Sequence, residues 1–153
     1  MRNILVLAAL LLAAPALGET VMQHAAGTFA VEMAPAAQSS ADGVALARMT
    51  VTKQFSGGMT ATAEGEMLTA AGAVPESAAY VLIERVTGSI DGRAGSFAFM
   101  HHATMDRGKP DQHITIVPDS GSGALAGITG AMTMRIDAGV HHYDLAYALP
   151  GKP

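Results

Sequence analysis

Between Tyr80 and Thr104 the chain reads YVLIERVTGSIDGRAGSFAFMHHAT, two apolar, β-rich runs joined through Ile90-Asp91-Gly92-Arg93. An Asp-Gly pair between such runs is the strongest short-range signal for a two-residue hairpin of the primed type. With Asp91 and Gly92 as the central turn residues, Ile90 pairs with Arg93, Val86 with Phe97, Glu84 with Phe99 and Leu82 with His101. One face then carries Tyr80, Leu82, Glu84, Val86, Phe97, Phe99 and His101. The other carries Val81, Ile83, Arg85, Ala98, Met100 and His102, so both faces are largely apolar. A hairpin of this kind belongs in the body of a closed or doubly covered sheet.

The rest of the chain supplies the partners. Residues 27–33 alternate Phe29, Val31 and Met33 with Thr28, Ala30 and Glu32, the two-residue period of a half-buried strand. Residues 35–43 (PAAQSSADG) are small and polar and read as a surface loop. Residues 44–55 and 59–69 form a hairpin around Gly57-Gly58, in which Phe55 faces Thr60, Lys53 faces Thr62, Val51 faces Glu64 and Met49 faces Glu66. Asp106 to Pro110 turns the chain into a strand over 112–117, and residues 119–123 (DSGSG) turn it again into a strand over 124–136. The last hairpin turns at Ala138-Gly139. It places Met132, Met134, Ile136, His141, Tyr143, Leu145 and Tyr147 on one face and Thr133, Arg135, His142 and Asp144 on the other. About eight strands in meander order, with no helical period after the first eighteen residues, predict an all-β, single antiparallel up-and-down β-barrel of lipocalin-like kind.

Residues 1–18 read as an export signal: Arg2 gives a positive start, residues 4–14 are apolar, and Ala16-Leu17-Gly18 precede Glu19 as a cleavage site. The apolar run is shorter than the roughly 20 residues a spanning helix needs, so no membrane anchor is expected. The remainder, residues 19–153, suits a single domain, periplasmic or secreted. Cysteine is absent, which excludes disulfides, thiolate metal sites and a cysteine nucleophile. Nine Lys and Arg stand against thirteen Asp and Glu; losing Arg2 leaves eight and a net charge near −5, which disfavours nucleic acid as a partner.

Four stretches carry a family likeness: residues 65–68 (GEML), 80–88 (YVLIERVTG), 92–97 (GRAGSF) and 117–127 (VPDSGSGALAG). In this order they resemble a bacterial domain of unknown function, family 3224, whose members look like allene oxide cyclase barrels. The likeness runs from about Gly27 to Leu149. Gly57-Gly58 stands where the family usually has Gly-Asp, and Met100-His101 where it usually has Gln-His. The resemblance implies a lumen open at one end, a largely apolar small-molecule ligand and self-association into a homo-oligomer.

If the aromatic face lines the interior, it brings Glu84, His101 and His141 inside, and the second hairpin, whose two faces each mix apolar and charged residues, adds Lys53 and Glu66 in one alignment. Glu84 and His101 are diagonal neighbours, so a charge-assisted pair that orients the imidazole as an acid or base is one expectation, and a structural pair fixing register is the other. The candidate walls are Tyr80, Phe97, Phe99, Met134, Tyr143 and Tyr147. His101-His102 and His141-His142 suggest a metal, but adjacent strand residues point to opposite faces, so a site would need His101 and His141 to meet across the lumen; no metal or other cofactor is expected. Asp119-Ser120-Gly121 matches the aspartic-protease triplet, yet one copy cannot supply the paired carboxylates and the context is that of a turn. Three functions stand open: a lumen that binds a small apolar molecule, a cyclase or isomerase in which Glu84 or His101 steers a proton, and a packed interaction module marked by an exposed patch over Val81, Ile83 and Met100.

Overall fold

The computed structural model describes residues 21–150, so the expected export signal lies outside the described residues. Eight strands follow in chain order: β1 Gln23–Ala41, β2 Val44–Gly57, β3 Met59–Ala71, β4 Ala78–Ile90, β5 Arg93–Asp106, β6 Lys109–Ile116, β7 Thr129–Asp137 and β8 Val140–Ala148. Each pairs antiparallel with its chain neighbours, and β8 returns to β1, closing the barrel.

The β4–β5 hairpin has the expected register, with Ile90 opposite Arg93 and Leu82 opposite His101. Its turn residues Asp91 and Gly92 have φ of 48° and 78°, the double positive value of a type I′ turn. The β7–β8 hairpin also pairs as expected, Ile136 with His141 and Met134 with Tyr143.

Three expectations are corrected. Residues 35–41 belong to β1 rather than to a loop: they pair with β2 through a bulge between Pro35 and Ala37, and Asp42-Gly43 makes a tight turn of the same double-positive kind. Small and polar residues here reflect an exposed hairpin, not the absence of a ladder. Residues 124–128 are not strand. Gly123–Leu125 forms a single 3-10 turn that lays Leu125 and Ile128 into the core, while the Ser120 and Ser122 hydroxyls accept the Ala98 and Ser96 amides of β5 at 3.0 and 3.1 Å.

The third correction is one of register. Phe55 pairs with Ala61, Lys53 with Ala63 and Val51 with Gly65, one residue away from the two-residue-turn alignment. A slip of one residue exchanges the faces of a strand. Thr60, Thr62, Glu64 and Glu66 therefore face outward, and Ala61, Ala63, Gly65 and Met67 face inward.

The two ends of the barrel differ. At the end formed by the β2–β3 and β4–β5 turns, Met59, Ile90, Phe97, Phe99, Leu125, Ile128, Leu145 and Tyr147 pack with almost no exposure. Tyr143 and Tyr147 pin the turns there: the Tyr143 hydroxyl accepts the Met59 amide at 2.9 Å, and the Tyr147 hydroxyl donates to Asp91 at 2.7 Å. At the other end β1 and β2 run on well past Phe29, the last residue of β1 paired to β8, and β6 meets β7 only through Ile114–Met132 and Thr115–Ala131. That end stays open.

Candidate functional site

The open end leads into a cavity of about 760 Å³. Val31, Val51, Met67, Leu82, Met132 and Met134 supply apolar wall, and Lys53, His101, Tyr80, Gln112 and His141 bring polar groups into it. Alternation explains the sorting, because every second residue of each strand points inward.

Lys53 on β2 and Glu84 on β4 form the buried centre of the polar cluster. Lys53 Nζ donates to Glu84 Oε1 at 2.6 Å, and the two side chains are 4% and 0% exposed. They reach each other across β3 because the inward residues there are the smallest available, Ala63 beside Lys53 and Gly65 beside Glu84. A Cβ on Gly65 would lie 2.7 Å from Glu84 Cα and Cβ, so glycine at this position makes room for the carboxylate's own backbone. The ammonium also sits 5.2 Å from the centroid of the Phe29 ring, within range of a cation–π attraction.

His101 is held by Tyr80, not by Glu84: Tyr80 Oη lies 2.7 Å from His101 Nε2, with the rings edge to face at 5.0 Å. Burial first, then the Lys53 charge, depresses the imidazole pKa to about 4, while the Gln112 side chain pulls the other way. The ring is therefore neutral around pH 7. Burial, followed by the Glu84 charge, raises the Tyr80 pKa, so the phenol keeps its proton. With Tyr80 donating to Nε2, the ring proton rides on Nδ1, a buried atom that no well-formed hydrogen bond satisfies although the Gln112 side chain acts on the ring from nearby; Glu84 Oε2 is likewise buried and unpaired.

The structure brings Lys53, Tyr80, His101, Met134 and His141 together around the cavity. It separates the remaining candidates. Glu66 is corrected outright: it lies on the outer face in an exposed ion pair with Arg48 at 3.1 Å, a consequence of the β2–β3 register. Phe97, Phe99, Tyr143 and Tyr147 face inward as expected but belong to the packed end beyond the cavity, since the 3-10 turn fills the barrel there. The expected Glu84–His101 pair does not form, because lysine outcompetes a neutral imidazole for the carboxylate.

Sequence reasoning missed Phe29, Val51 and Met67 as wall. Phe29 stacks 4.9 Å from His141 across the β1–β8 seam, a contact that no local pattern announces. Among the described residues no group of three or more His, Asp or Glu is placed to hold a metal ion. His102 and His113 stack on the outer face at 5.1 Å. Val81, Ile83 and Met100 are exposed on that face, with Leu68 paired beside Val81.

A crystal structure of a protein with unknown function from the DUF3224 family of Shewanella oneidensis MR-1 is 40% identical, covers 86% of this chain and 100% of its own, and superposes with a TM-score of 0.81. Among curated proteins none matches. The profile of the protein of unknown function family DUF3224 matches residues 25–147, the span of the closed barrel, and the chain belongs to that family.

Proposed function

We propose that this protein is an exported binding barrel whose lumen takes an apolar or amphipathic small molecule through its open end. The observation that carries this reading is the cavity: about 760 Å³, largely apolar, with a few converging polar groups, within the size and make-up of small-molecule sites. Residues 1–18 support a periplasmic or secreted location, and the acidic charge argues against nucleic acid. Any proton transfer inside the lumen falls to Tyr80 and His101, since the Glu84 carboxylate is shut away beneath them.

Binding of an uncharged, environment-sensitive apolar dye tests the reading. Val51→Trp should fill the lumen and abolish binding of one dye per barrel, while Ile83→Glu on the outer face should leave it unchanged. The opposite pattern would put the dye on the outer patch and dismiss the lumen.

A further inference from the structure

We propose that the buried end of the lumen selects a lipophilic molecule carrying an uncharged oxygen acceptor, a ketone or ester carbonyl, which accepts a hydrogen bond from the Lys53 ammonium. This rests on the ligand-binding reading above and adds the chemistry and orientation of the ligand: carbonyl inward, hydrocarbon towards the mouth.

An ammonium has three N–H donors. Among the described residues the Lys53 ammonium makes one hydrogen bond, to Glu84 Oε1, although its side chain is only 4% exposed and forms part of the cavity lining. Phe29 offers the ammonium a ring face but no lone pair. Among the described residues neither the Tyr80 hydroxyl, which pairs with His101, nor the second Glu84 oxygen hydrogen-bonds the ammonium, and the adjoining wall residues Val31, paired to Lys53 across β1, and Val51 on its own strand carry no side-chain acceptor. Buried donors without acceptors are costly, so a molecule that brings an acceptor gains more than one that brings only carbon.

Charge decides which acceptor. Glu84 already balances Lys53, and His101 is neutral around pH 7, so a ligand carboxylate would enter as a second anion beside a buried one, and among the described residues lining the cavity no Lys or Arg is unpaired. Arg135 at the rim is exposed and paired with Asp137 at 3.3 Å. A carbonyl accepts the same hydrogen bond without adding charge.

Calorimetric titration of the mature barrel with heptyl methyl ketone, nonanoate and nonane, three probes with matched carbon chains, separates the possibilities. The ketone should bind about tenfold more tightly than either of the others, a difference of about 1.4 kcal/mol. In Lys53→Met the advantage over nonane should vanish. Should that variant fold poorly, Lys53→Met/Glu84→Leu removes both charges together and should show the same loss with nonane affinity kept. Equal affinity for nonane and ketone would overturn the carbonyl assignment and leave the lumen reading standing. Tightest binding of nonanoate would overturn it in favour of an anionic head. A ketone preference that survives the double variant would remove Lys53 as the donor, and failure of all three probes to bind would end both readings.

Discussion

Lys53→Met should be among the most destabilising single changes in this barrel, and adding Glu84→Leu should restore most of the loss. At 2.6 Å and an effective dielectric of about 20, the two charges attract by about 6 kcal/mol. Withdrawing them from water costs several kcal/mol per ion, so the intact pair contributes little net stability. Removing one partner is different, because the carboxylate that remains is fully buried and its second oxygen already lacks a hydrogen bond. That loss is about 3–5 kcal/mol. For a domain of this size it lowers the melting temperature by about 10–20 °C. Urea and thermal unfolding followed by far-ultraviolet circular dichroism suit a chain without tryptophan. In the double variant two apolar side chains replace the pair, and stability should return to within about 1 kcal/mol of the parent. If Lys53→Met lost less than about 1 kcal/mol, or the double variant were as weak as the single one, the pair would not be dry and the reasoning about the floor of the lumen would fail.

Other consequences follow from the same cluster. Because the folded His101 ring titrates near 4 against an ordinary 6.5, the unfolded chain binds a proton that the folded one refuses between these values. Stability should therefore fall as pH drops from about 6.5 to about 4, by up to about 3 kcal/mol, and His101→Asn should flatten that part of the profile in urea titrations across pH. Tyr80→Phe strips the imidazole of its partner and should cost about 1–3 kcal/mol in thermal unfolding; no loss would mean that water replaces the hydroxyl. Gly65→Ala should cost about 1–3 kcal/mol by driving a methyl group into the Glu84 backbone, whereas Thr62→Ala, outward on the same strand, should change stability by less than about 0.5 kcal/mol.

The pattern of turns and alternation was enough to read the barrel, its two best hairpins to the residue, and the inward direction of Glu84, His101, Tyr143 and Met134. Those hairpins declare themselves locally: Asp91-Gly92 and Ala138-Gly139 adopt the double-positive turn, and the turn counts out the register on both sides. The β2–β3 hairpin does not, because Gly57-Gly58 looks like a two-residue turn, yet Phe55 pairs with Ala61 and the whole of β3 changes face. Lys53 faces inward as one reading of that hairpin has it, but its partner is not legible in the sequence. Lys53 and Glu84 are 31 residues apart and meet over a third strand, through space that Ala63 and Gly65 leave empty.

Alternation along β4, β5, β7 and β8 is a matter of neighbouring residues counted out from their turns, and there the sequence alone sufficed. Which half of the cylinder is filled and which is hollow depends on where Leu125 and Ile128 land after a turn outside the sheet, and on how far β1 and β2 outrun β8. Both are settled only when the ladder closes on itself, because closure is what brings residues from opposite ends of the chain to one side-chain distance.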